Sequence, residues 1–162
     1  FMVLSARQVG GSEFSALGGL LVAVGAANLL GGTVWGRQSD VSSRRVLIRA
    51  GWIAAAACGG LFAVVQLHWT SSLIYAGLYF VLSLAHSGVR LGRSTYLIDM
   101  ATQETRAAYT AVSNTLIGVL LLAGGSLSLL EPWLGPDGMV LLFGCGAVLA
   151  ALAAQRLPEI ED

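Results

Sequence analysis

Four stretches of this chain, residues 14–36, 50–89, 107–130 and 138–155, contain no Asp, Glu, Lys or Arg. A helix that crosses a bilayer needs roughly 20 apolar residues, so each stretch is long enough or nearly long enough to span, and the second is too long for one pass. It divides at His68-Trp69-Thr70-Ser71-Ser72, a polar cluster whose Trp suits the headgroup level. Charged residues make up 11% of the chain, against about 25% in a soluble domain. The expected fold class is therefore an all-α integral membrane protein. Five spans are predicted at about 14–36, 46–67, 73–95, 107–130 and 138–155 in a single transmembrane bundle. The opening "FMVLSA", residues 1–6, is too short to cross and reads as the end of a truncated sixth helix.

Charge distribution then gives the topology. All nine cations are Arg, balanced by nine acids, so no net field draws nucleic acid. Arg37, Arg44, Arg45 and Arg49 cluster after the first full span, and Arg90, Arg93 and Arg106 surround the connection after the third. The intervening connections, around His68 and in "EPWLGPDG", carry no Arg, and Arg156 follows the last span. This alternation is what the positive-inside rule predicts for a multi-pass protein of the cell membrane with a cytoplasmic C-terminus. Arg7, near the outer face, is the one dissenter. Cys58 and Cys145 each lie inside an apolar run, where packing is expected rather than a disulfide or a metal site.

The first arginine cluster has internal order. "GRQSDVSSRR" reads as Gly36, three residues, Asp40, three residues, then Arg44 and Arg45, between two spans. It resembles the signature loop of the major facilitator superfamily, written G-x-x-x-D-[RK]-x-G-[RK]-[RK]. Val41 stands where a cation is usual and Ser43 where a Gly is usual, a degeneration such families tend to show in the second copy of the loop. The fourth and fifth spans of an N-terminal half commonly carry Arg-rich and Gly-Pro motifs, and 73–95 and 107–130 lack both. The resemblance thus implies the C-terminal half of a twelve-helix bundle, with the N-terminal half missing. Gly36, Asp40, Arg44 and Arg45 would form a conformational latch: the Gly lets the chain turn close to its neighbour, and the carboxylate binds its own arginines or a helix N-terminus. The alternative is a solvated turn whose arginines only set topology.

The third span carries a polar stripe. At 100° per residue, Tyr75, Tyr79, Ser83, His86, Arg90 and Arg93 fall within an arc of about 80°, with apolar residues opposite. By the resemblance this is the tenth helix, which lines a central cavity. There an Arg or His could bind an anionic group and Tyr could stack on a planar substrate or close a gate. Otherwise Tyr75 is an interfacial belt residue and the arginines snorkel to headgroups. Asn28 shares a face with Gly25, Gly32 and Gly36, which suits either a cavity or a close helix contact. Asn114, beside Thr110 and Ser113, suits packing or a pathway equally.

The candidate substrate pathway is therefore Asn28, Tyr75, Tyr79, Ser83, His86, Arg90 and Asn114. The spans hold no mid-membrane carboxylate to couple transport to protons, so proton coupling would fall to the missing half or to His86. No H-E-x-x-H, G-x-S-x-G or phosphate-binding loop is present, and neither an enzyme nor a cofactor is expected. The expected function is secondary active transport of a small solute by alternating access, with the bilayer and the other half of the transporter as partners. A small non-transporting membrane protein that acts as a packing or assembly partner is the alternative.

Overall fold

In a computed structural model the described residues are 13–69 and 71–160, with side chains from residue 18 onward. The predicted helix stub, 1–6, and Arg7 lie outside them. The described chain is helical throughout: α1 (Glu13–Ser39), α2 (Ser43–Gln66), α3 (Ser72–Met100), α4 (Arg106–Ser126), a 3-10 turn (Leu127–Leu130) and α5 (Glu131–Gln155). Four helical segments are long and apolar enough to cross a membrane: Gly18–Ser39, Ser43–Gln66, Ser72–Met100 and Arg106–Gln155. These make the chain a multi-pass membrane protein.

The count differs from the five spans read in the sequence because "EPWLGPDG" is helical on both sides of a kink at Gly135, so that 106–155 forms one segment. Pro132 sits in the first turn of α5, where its missing N–H costs nothing, and helical structure runs from Arg106 to Gln155 through the 3-10 turn, with non-helical backbone at Gly135 (φ 65°, ψ 172°). Fifty residues of straight helix would reach about 75 Å, far more than a hydrocarbon core of roughly 30 Å. Gly135 is thus the point at which the path can change direction, in a backbone conformation open essentially to Gly alone.

Other boundaries follow from local chemistry. Ser42 caps α2, its hydroxyl accepting from the Arg45 N–H. At the far end of α2, His68 adopts φ 53°, with its N–H bonded to the Val65 carbonyl and that of Trp69 to Val64. This is a Schellman closure with His where Gly is usual. The polar cluster around His68 is therefore a helix end, as the sequence suggested.

Packing is built on small residues. α3 lies against both α1 and α2, and α2 also lies against α5. A methyl group added at Gly88 would stand 2.7 Å from Trp35 Cε2 and 3.0 Å from Ala50 Cβ, and one at Gly92 would stand 3.0 Å from Val46. Gly31 meets Ser87, and Gly51 meets Ala151. Close approach brings Trp35 Nε1 within 2.8 Å of the Leu84 carbonyl, a hydrogen bond from α1 to α3 through a side chain only 2% exposed. Gly88 and Gly92 are thus in close helix contact, whereas a methyl group added at Gly124 would meet no heavy atom within 4 Å among the described residues. The α1 glycines at 25, 32 and 36 are likewise open, and the close-packed face is that of Ala27, Gly31 and Trp35.

Cys58 is half-buried and Cys145 exposed, both as free thiols, so the packing role expected for Cys145 does not hold among the described residues. α4 has no buried residue and touches only the end of α3 and the 3-10 turn.

Gly88→Val should destabilise the bundle by about 1–3 kcal/mol through overpacking. Gly25→Ala, in open space, should not. Thermal unfolding in detergent separates the two, and equal midpoints would remove the seam as a source of stability.

Candidate functional site: a groove and a clasp

Two cavities lie end to end between α1 and α3. The first, about 480 Å³, is lined by Val24 and Asn28 of α1, Ala54 of α2, and Tyr79, Leu82, Ser83, His86 and Val89 of α3. The second, about 370 Å³, is lined by Asn28 and Gly32 with Ser87, Arg90, Leu91, Arg93 and Ser94. Asn28 belongs to both. The close seam through Gly31, Trp35, Ser87 and Gly88 holds the two helices together and leaves the neighbouring faces of α1 and α3 to form the groove.

Of the seven pathway residues read from the sequence, four converge on the first cavity: Asn28, Tyr79, Ser83 and His86. Arg90 joins Asn28 in the second. Tyr75 does not belong with them. It is 4% exposed and packs with Leu61, Val64 and Val140 between α2, α3 and α5, because α3 meets α2 and α5 at that level and its stripe faces protein there. Tyr75 thus sits in a helix contact and lines neither cavity. Asn114 is exposed on α4, away from both cavities. Arg93, which shares the stripe, lines the second cavity, and its Nε is buried with no hydrogen-bond partner among the described residues.

The signature-like loop sits at the arginine-rich end of the bundle, where Asp40, Val41 and Ser42 join α1 to α2. Asp40 and Arg44 line one small polar cavity of about 270 Å³, yet they are not an ion pair. The one ion pair among the described residues joins Arg44 Nη1 to Glu159 Oε2 at 2.8 Å. Arg44 Nη2 donates to the Gln155 carbonyl at 2.7 Å, and the Ser42 hydroxyl donates to Glu159 Oε1 in a short hydrogen bond. Tyr96 Oη donates to the Pro158 carbonyl at 3.1 Å, and Ser43 Oγ donates to Asp99 Oδ2 at 3.0 Å. Segment 157–160 is thereby fastened across the α1–α2 connection and the end of α3.

The carboxylate that pairs with Arg44 is therefore Glu159 rather than Asp40. Arg45 is exposed and contributes its backbone N–H to the Ser42 cap. Gly36 lies inside α1 with open space around it, so no close approach requires it. Glu159, Ser42, Ser43 and Asp99 were not singled out in the sequence. The available signal was charge sidedness, since an acidic segment follows the last span on the same side as the arginine loop. The Ser42 hydroxyl first, and the Arg44 guanidinium with it, hold the Glu159 carboxyl below its ordinary range.

Compared with family models, with curated proteins and with solved structures, the chain matches none.

Because the folded-state pKa of Glu159 is depressed, the clasp is complete above the ordinary carboxylate value of about 4.3 and is lost as pH falls through the lowered value. Glu159→Gln and Arg44→Gln should each speed amide exchange over residues 39–46 at neutral pH. Their combination should be less than additive, because the two share the Arg44–Glu159 pair while Arg44 alone bonds the Gln155 carbonyl and Glu159 alone accepts from Ser42. Additive effects in hydrogen-exchange mass spectrometry would show that the two residues act separately.

Proposed function

We propose that this chain is one half of a secondary transporter resembling the major facilitator superfamily, and that it moves a small solute across the cytoplasmic membrane by alternating access. In this reading the 106–155 run makes two passes and reverses at Gly135, and the arginine-rich end faces the cytoplasm. The observation that carries the reading is the convergence of Asn28, Tyr79, Ser83 and His86 on one cavity between α1 and α3. Polar side chains at this depth are expensive against lipid and belong on a water-filled path or a protein contact. They come from two helices and share one concave space, as a solute path requires.

The clasp supplies the conformational part. It holds the α1–α2 connection against α3 and segment 157–160 with exposed, charge-assisted hydrogen bonds. Bonds of this kind are strong enough to favour one state and weak enough to break in a cycle. Alternating access needs an equilibrium of that kind between two arrangements, biased by the solute.

A cysteine-accessibility scan of the full-length protein in its native membrane, in a Cys58→Ala, Cys145→Ala background, tests the path. Tyr79→Cys, Ser83→Cys and His86→Cys should react with a water-soluble thiol reagent. Tyr75→Cys and Ala85→Cys, at positions 4% and 0% exposed, should stay protected. Uniform protection would instead favour the small non-transporting packing partner.

A further inference from the structure

The groove changes character along its length, and the change specifies a class of ligand. Its first cavity is mainly apolar, with Val24, Ala54, Leu82, Val89 and the Tyr79 ring around the hydrogen-bonding groups of Asn28, Ser83 and His86. Its second cavity is cationic, with Arg90 and Arg93 among Ser87 and Ser94. No carboxylate lines either cavity, and neither arginine has an ion pair among the described residues. At 1.5 Å per residue, Tyr79 and Ser83 lie roughly 10 and 16 Å from the start of α3, and Arg90 about 27 Å. The apolar part thus falls within a hydrocarbon core of roughly 30 Å and the cationic part at its edge.

Arg93 Nε is buried without a hydrogen-bond partner among the described residues, and it lines this cavity with Arg90, so the pair offers donors that an anion can take up through paired hydrogen bonds. We infer that the α1–α3 groove binds an amphipathic organic anion, its acidic group on Arg90 and Arg93 and its apolar or aryl body against Tyr79, with Asn28 at the junction. This deepens the transport reading and rests on it. The same chemistry could come from a dissolved carboxylate or from a lipid headgroup. The dissolved anion fits better, because Asn28, Ser83 and His86 interrupt the apolar part, where an acyl chain would leave them unpaired.

One ring body carried with three charges tests the assignment. In nanodiscs of phosphatidylcholine, the full-length protein should bind 2-naphthoate roughly tenfold or more tightly than 2-naphthylmethanol or 2-naphthylmethylammonium, as loss of a charge-assisted pair implies. The combined Arg90→Gln, Arg93→Gln variant should lose that preference and retain the alcohol's affinity, which doubles as the control for folding. Tyr79→Leu should weaken all three ligands alike. Equal binding of the three, no binding of any, or a preference indifferent to both arginines would overturn the inference.

Repeating the series in discs containing phosphatidylglycerol separates the sources. A dissolved anion keeps its preference there. If naphthoate binding disappears while phosphatidylglycerol stabilises only the protein with both arginines, the anion is a headgroup and the solute assignment falls. A reactive cysteine stripe without charge preference would remove the anion and leave the path. A protected stripe would remove the path itself.

Discussion

The α1–α3 seam is the contact on which the rest of the arrangement depends. In a bilayer the hydrophobic effect does not draw apolar helices together, so association rests on close packing and on hydrogen bonds between helices. Gly31 and Gly88 supply the first, and Trp35 donating to the Leu84 carbonyl supplies the second. A donor on an indole buried to 2% exposure has no water to fall back on, so loss of the bond strands it. The bond fixes both the distance between the two helices and their rotation. Since α3 also packs along α2, and α2 along α5, the seam sets the frame for the described bundle.

The groove is a consequence of that rotation. With Trp35 and Gly88 turned toward each other, Asn28 and the stripe residues Tyr79, Ser83, His86 and Arg90 border an open concavity. Tyr75, nearer the start of α3, meets α2 and α5. The same geometry explains why a single helical stripe does two jobs. A stripe is a property of one helix, whereas a cavity belongs to the helices around it, and those neighbours change along the length of α3.

This separates what was legible in the sequence from what was not. Uncharged runs located the helices with ends displaced by up to seven residues, because length and apolarity are local. The stripe on α3 and the polar break at His68 were legible for the same reason. The pairing of Arg44 with Glu159 was not, since 115 positions separate them and nothing local distinguishes Glu159 from Asp40 as a partner. Reading the loop alone put the carboxylate four residues from the arginine. Folding brought a more distant one to the better place, with Ser42 to orient it. Gly36 shows the converse error: a glycine in a motif suggests a tight turn, but the described α1 is regular there. The 106–155 run is a further case: Pro132 sits in the first turn of α5, and the break that the two prolines suggest is confined to a kink at Gly135, beside Pro136.

α4 carries the remaining constraint. Exposed Leu and Val on this helix need no explanation, because lipid accommodates them as well as protein does. Asn114 is different: it is exposed on a helix with no buried residue, and an amide side chain facing hydrocarbon would have to give up its hydrogen bonds. Its neighbour Thr115 avoids that cost by donating to the Ala111 carbonyl of its own helix at 3.0 Å, an option that the amide nitrogen and oxygen of Asn114 share only in part. The Asn114 face of α4 is therefore set against polar groups or water in the membrane-embedded protein.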